Sequence, residues 1–207
     1  VVGIHGDDTG LILPPDVSPV QVVIVPIIFK DTKEKVLTAC HEVAEELSNK
    51  GLRIHVDQRD VNPGNKFYEW ELKGVPIRIE IGPRDVSNNQ AVLVSRDTGE
   101  KKGVARDDLI HSVELGLDEI SQRLLKRAEK LLEEKTHVVD TLEEAKQYDG
   151  IIQLPWCGTD SCALEVEEIL DGNTLGEPIT DDEKVSEKRC VTCGKPAKIW
   201  MRFAKTY

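Results

Sequence analysis

Two groups of residues in this chain have types and spacings suited to chemistry. The first is two cysteine pairs, Cys157 with Cys162 and Cys190 with Cys193, with four residues inside the first pair and two inside the second. Two such pairs favour a tetrahedral zinc site with four thiolate ligands. Four protein ligands leave no open coordination position, so the ion would stabilise the fold and would not activate water. Gly158 and Gly194 each follow a cysteine directly, which lets backbone amides approach the sulfurs. Spacing alone leaves two other readings. Cys190-Val-Thr-Cys193 could be a redox pair, which would strand the other two cysteines. The four could also form disulfides in an exported protein, which is disfavoured because no export signal is visible.

The second group lies between Lys66 and Asp85, KFYEWELKGVPIRIEIGPRD. From Val75 to Ile81 apolar Val75, Ile77, Ile79 and Ile81 alternate with Pro76, Arg78 and Glu80, the period-two pattern of a strand with one buried face. Arg78 and Glu80 then share the other face, with Phe67, Trp70 and Glu71 approaching just before the strand. Aromatic, guanidinium and carboxylate groups on a rigid platform are the set that holds and reads unstacked bases. On pattern alone, a strand with merely solvated charges remains the plainer alternative.

The elements that would position these groups read as α/β. Pro19 to Ile28 is a nearly continuous β-branched run suited to a strand buried on both faces. Asp31 and Thr32 are candidate caps for a helix in which Val36, Cys40, Val43, Ala44 and Leu47 recur at helical spacing until Gly51. Leu52 to Val56 gives a second strand, completing a crossover unit. Asp57 to Phe67 reads as a polar loop and Phe67 to Leu72 as a short helix. After the Val75 to Ile81 strand, Gln90 to Ser95 is a further strand, and Arg96 to Lys102 is a hairpin turn into Gly103 to Ala105. The sum is a mixed sheet of about five strands with helices against it. Asp107 to Lys135 is the longest helical stretch, with Leu109, Val113, Leu117, Ile120, Leu124 and Leu131 near one face. Thr141 should cap a shorter helix ending at Gly150. Cys40 lies on an apolar stripe and reads as core. His5, Asp7 and Asp8 read as an ordinary polar turn. The opening Val1 to Ile4 reads as the interior of a strand entering from elsewhere, so the chain is expected to be the C-terminal part of a longer protein.

With 39% hydrophobic and 31% charged residues the composition is that of a soluble globular chain,. No apolar run reaches the roughly 18 residues of a membrane span, and a cytoplasmic location is expected. A formal net charge of −11 argues against coating nucleic acid through bulk electrostatics,. The charge is uneven, however. Residues 66 to 106 carry eight Lys/Arg against six Asp/Glu, whereas 107 to 149 carry six against twelve. RNA, if bound, should meet the first segment. The acidic insert between the cysteine pairs is a poor RNA contact.

Several stretches agree in order and spacing with one family: HGDDTGLILPP (His5 to Pro15), QVVIVPI (Gln21 to Ile27), WELKGVPIRIEIGPRD (Trp70 to Asp85), the four cysteines and the terminal tyrosine. Together they resemble the C-terminal part of prolyl-tRNA synthetase, in the archaeal and eukaryote-like branch that carries an additional zinc domain. The resemblance implies an end of the catalytic domain and connector at 1–17, a class IIa anticodon-binding domain at 18–135, and a small α+β zinc-binding domain at 136–207. It implies ATP-dependent attachment of proline to its tRNA by the whole enzyme, usually a homodimer, with ATP and Mg2+ used by a catalytic domain whose signature motifs are not in this sequence. No catalytic residue is therefore expected here. Carried onto matching positions, it implies that Phe67, Glu71, Arg78, Arg84 and Lys101 bind the anticodon of proline tRNA. Some relatives have lysine where Arg84 stands. Cys157, Cys162, Cys190 and Cys193 would hold zinc, and Tyr207 would approach the active site through its carboxylate. A free-standing RNA-binding or assembly module of the same fold, and a zinc-stabilised scaffold without RNA, are the competing readings.

Overall fold

The computed structural model describes residues 1–179, 185 and 187–205. They form two compact units, 1–128 and 129–207. In the first unit, one helical turn α1 (Val2–His5) is followed by β1 (Val22–Pro26), a 3-10 turn (Lys30–Thr32), α2 (Lys33–Asn49), β2 (Ile54–Val56), α3 (Pro63–Leu72) and β3 (Ile77–Ile81). Then come α4 (Pro83–Ser87), β4 (Gln90–Ser95), β5 (Lys101–Ala105), a 3-10 turn (Arg106–Asp108) and α5 (Leu109–Glu134), whose last residues, from Glu129 on, fall in the second unit. The sheet order is β2-β1-β3-β4-β5, parallel across β2, β1 and β3 and antiparallel from β3 to β5.

The β-branched run places β1 at the centre of the parallel half, where every residue of it is buried,. One sheet face carries Val22, Ile24, Ile77, Ile79 and Ile81 against the apolar stripes of α2 and α5, with Cys40 fully inside. Burial pushes the Cys40 thiol up to about 12, which fits its reading as a small hydrophobe,. The opposite face carries Val23 and Val25, packed with Trp70 and Val75.

Several expected boundaries shift for physical reasons. Val1 to Ile4 is not strand interior, since Val2–His5 forms a helical turn. Val75 does not continue the face of Ile77, Ile79 and Ile81. Gly74 (φ +72°) turns the chain so that the Val75 amide donates to Trp70 O (3.2 Å) and its side chain joins the other layer. The Asp57 to Phe67 loop gives way at Pro63, where α3 begins: Asn62 accepts from the Gly64 amide (2.8 Å), and proline occupies the first turn, where its missing N–H costs nothing,. Thr32 precedes α2 without a side-chain cap bond. Leu131, expected on the buried stripe of the long helix, is 37% exposed.

The second unit pairs β6 (Thr136–Val138), β7 (Ile151–Trp156), β9 (Ile199–Ala204) and β8 (Asn173–Gly176) in the order β6-β7-β9-β8. Thr141 caps α6 by accepting from the Glu144 amide (3.1 Å), but α6 (Leu142–Ala145) is a single turn and stops short of Gly150. With α7 (Asp160–Leu170) these elements enclose a small core of Ile152, Leu154, Val166, Leu170, Met201 and Phe203. Tyr207 lies outside the described residues.

Candidate nucleic-acid interface and metal centre

Strand register builds the first site. Across the sheet, Val23 of β1 pairs with Arg78 of β3, Arg78 with Val94 of β4, and Val94 with Lys101 of β5. Paired residues share a face, so Arg78 and Lys101 flank Val94 on the side covered by α3. One step along, Glu80 pairs with Val25 and Val92. The alternation therefore set Arg78 and Glu80 on one face, as expected, but this face is not solvated. Arg78 is 6% and Glu80 7% exposed, because Phe67 and Trp70 of α3 lie over it.

Buried charges need partners, and here they are each other. Arg78 donates from Nε to Glu80 Oε1 (3.1 Å) and from Nη1 to Glu71 Oε1 (2.8 Å), with Nη2 3.1 Å from Glu80 Oε1. Lys101 Nζ donates to the same Glu80 oxygen (3.2 Å). The Arg78 guanidinium lies 4.3 Å from the centroid of the half-buried Phe67 ring, and Lys101 Nζ lies 5.7 Å from it. Phe67, Glu71, Arg78 and Lys101 thus form one cluster. Glu71 and Lys101 are its accessible members, with side chains 38% and 54% exposed. Beside it lies a cavity of about 320 Å³ whose walls include Asp7, Glu71, Arg78, Arg96 and Lys101. Arg84 stands apart, exposed in the first turn of α4; among the described residues no hydrogen bond or ion pair ties it to the cluster.

Two supports of this cluster were not legible as site residues. Arg96 donates through both terminal nitrogens to Asp7 (2.8 and 2.7 Å) and through Nε to Glu71 O (3.0 Å), so a contact spanning 89 residues anchors the end of α3. Asp7 does form the expected turn, accepting from the Thr9 and Gly10 amides, but Arg96 above all holds its carboxyl far below the usual carboxylate range. One residue earlier in the same last turn of α3, Trp70 is held as well: the fully buried Asp57 accepts from Trp70 Nε1 (2.8 Å) and from Arg59 Nε (2.9 Å) and Nη2 (2.7 Å). The Arg59 guanidinium, then the Trp70 indole, hold its carboxyl well below the ordinary value. Glu80 did carry a signal, its alternation with Arg78, yet nothing in sequence showed that it bridges both cations.

The four cysteines meet in the second unit. Cys157 follows β7, and Cys162 sits in the first turn of α7. Cys190 and Cys193 lie on a turn closed by Gly194 N to Cys190 O (3.0 Å). That turn is fastened to the first pair by Val191 N to Pro155 O (3.2 Å) and Thr192 Oγ1 to Cys162 O (3.2 Å). All four sulfurs lie within 4.8 Å of one another, with Cys157 3.7 Å from Cys162 and 3.8 Å from Cys193. These separations are far beyond the roughly 2 Å of a disulfide. The Thr159 hydroxyl and amide draw the Cys157 thiol down to about 6, whereas burial and the adjoining sulfurs push Cys162 up to about 12. Burial raises Cys190, but the Cys193 and Thr192 amides outweigh it and lower its pKa. Sulfurs this close cannot all ionise without a cation between them, so the donor set fits a metal ion.

A family model described as Anticodon binding domain matches residues 21–114, and one described as Prolyl-tRNA synthetase, C-terminal, matches 139–207. The chain is 50% identical to a proline–tRNA ligase of Thermococcus kodakarensis over 100% of its own length and 44% of that protein. It is 47% identical to the Pyrococcus abyssi ligase, with 44% of that protein covered, and 44% identical to the Methanosarcina mazei ligase, with 43% covered. It therefore spans less than half the length of these relatives. Among the described residues no helix is long and apolar enough to cross a membrane.

Proposed function

From a chain that belongs to the prolyl-tRNA synthetase family, we propose that residues 18–135 select proline tRNA by its anticodon and that 136–207 form a zinc-stabilised domain, with 1–17 leading in from a catalytic domain. The observation that carries this reading is the meeting of Glu71, Arg78 and Lys101 around Phe67 beside a cavity of about 320 Å³. Prolyl anticodons carry two adjacent guanines. Guanine offers N1–H and N2–H to a carboxylate and O6 and N7 to guanidinium or ammonium donors. Glu71, with its exposed edge, accepts from the Watson–Crick edge of one guanine. Arg78 donates to an acceptor edge, Arg84 reaches the RNA from α4, Phe67 stacks, and Lys101 meets phosphate or a base.

For the metal, zinc is the reading supported by chemistry and geometry together. At the usual Zn–S distance of about 2.3 Å, a tetrahedron has edges of about 3.8 Å, close to the 3.7 and 3.8 Å between sulfurs here. Cys157, Cys162, Cys190 and Cys193 would hold the ion, which supplies structure and no chemistry. The whole enzyme, a cytoplasmic homodimer in this reading, would form prolyl-adenylate from proline and Mg2+-bound ATP and then esterify the tRNA. The Tyr207 carboxylate would approach that active site.

The test is Glu71→Ala in the full-length enzyme. Aminoacylation should lose about 1 to 3 kcal/mol in kcat/KM, the size of one lost base contact, while adenylate formation without tRNA stays within error. Equal loss in both assays would assign Glu71 to folding and remove the base-reading role.

A further inference from the structure

Arg78 is the most deeply buried member of the proposed anticodon-reading cluster, and what fixes its orientation is a carboxylate with no assigned role. Glu80 Oε1 takes the Nε–Nη2 edge of the guanidinium at 3.1 Å and the Lys101 ammonium at 3.2 Å. Glu71 takes one proton of Nη1 at 2.8 Å. A guanidinium has five N–H groups, so this arrangement leaves N–H groups on both terminal nitrogens for a ligand. We propose that Glu80 is a positioning residue for guanine recognition: it clamps Arg78 so that those remaining N–H groups meet guanine acceptors, and it keeps Lys101 beside Arg78 despite their like charge.

The argument is electrostatic and geometric. Arg78 and Lys101 both lie within 6 Å of the Phe67 ring centroid. Among the described residues Glu80 is the one carboxylate that contacts both cations, and its side chain is only 10% exposed. In such a setting a single shared oxygen offsets the repulsion between two cations much more than it would in water. Glu71 cannot substitute: among the described residues its carboxylate contacts the Arg78 cation and not Lys101, from the accessible side, and it is the group that must face a base. Glu80 lies beneath, fixed by its register against Val25 and Val92. It therefore touches no base and acts through Arg78, which sets its effect apart from that of a direct contact.

The inference rests on the anticodon reading, so the experiment separates the two. Full-length enzyme carrying Glu80→Gln, Arg78→Ala or both is titrated with proline tRNA and with the same tRNA bearing 7-deazaguanosine at each anticodon guanine in turn, which removes only the N7 acceptor. The unmodified enzyme should lose about tenfold in affinity on one of these substitutions. Glu80→Gln should shrink that penalty to about threefold or less, and should add less than about twofold on top of Arg78→Ala, as expected when one residue acts through the other. An unchanged 7-deaza penalty in Glu80→Gln, or an equal loss on both RNAs that persists in the Arg78→Ala background, would overturn the positioning role and leave Arg78 as a reader. If Arg78→Ala binds proline tRNA as tightly as the unmodified enzyme, the anticodon reading itself falls. Should Glu80→Gln fail to fold, Glu80→Asp keeps the charge, retracts the oxygen by one methylene, and reports the same ratio.

Discussion

Stripping the metal from the cysteine cluster should unfold the second unit while sparing the first, and the structure sets the scale. Apart from the buried cysteines and Trp156 beside them, the core of that unit among the described residues is one small cluster under α6 and α7. A core of that size, in about 80 residues, supplies only about 3 to 5 kcal/mol. Four-thiolate zinc binding is typically worth about 10 to 16 kcal/mol at neutral pH. Even half of the lower figure matches or exceeds what packing offers. The loss is also local in origin: the cluster joins the end of β7 and the start of α7 to the turn before β9, and without it three elements lose their common fixture. Trp156 reports on it, since its Nε1 donates to Thr159 O (3.1 Å) between the first two cysteines. Metal analysis should give one zinc per chain. A strong chelator should then red-shift the emission of Trp156 and Trp200, collapse the near-ultraviolet circular dichroism they contribute, and leave a separate melting transition for the first unit. A chelated, metal-free protein that keeps the Trp156 spectrum and a single unchanged transition would refute the reasoning, because the sulfur cluster would then be held by packing alone.

Asp57→Asn removes a buried charge on which three side-chain N–H donors converge and gives Trp70 Nε1 or Arg59 an N–H where an acceptor stood; we expect about 2 to 3 kcal/mol of lost stability in the first unit by denaturant titration,. Arg59 above all holds the native Asp57 carboxyl below the ordinary value of 3.8, so its contribution is complete above about pH 4 and is lost as pH falls through the lowered native value. The parent's stability should therefore fall in acid below pH 4 more steeply than that of Asp57→Asn, and parallel pH profiles would refute the assignment. Gly74→Ala should destabilise the same unit by about 1 to 3 kcal/mol in thermal melts, because its backbone is left-handed (φ +72°) and an added Cβ would lie 2.7 Å from the Leu11 backbone,.

The sequence alone determined local matters, because they depend on neighbours in the chain. The β-branched run from Pro19 to Ile28 specified a buried parallel strand, the stripe of Val36, Cys40, Val43, Ala44 and Leu47 specified the helix packed on it, and the cysteine spacing specified two pairs of thiols able to hold a metal ion together. The period-two stretch put Arg78 and Glu80 on one face, and the family's words around it carried the expectation of anticodon binding. Tertiary structure decided what those side chains face. Only strand register sets Lys101 across Val94 from Arg78, and only the docking of α3 turns a charged strand face into a buried ion network. The Asp7–Arg96 pair spans 89 residues, and no periodicity reaches that far. Arg84, equal to Arg78 as a candidate in the sequence, ends on an exposed helix outside the network, since a helix replaces strand directly after Gly82. Alternation fixes which way a side chain leaves its own strand, and the rest of the chain fixes what it meets there.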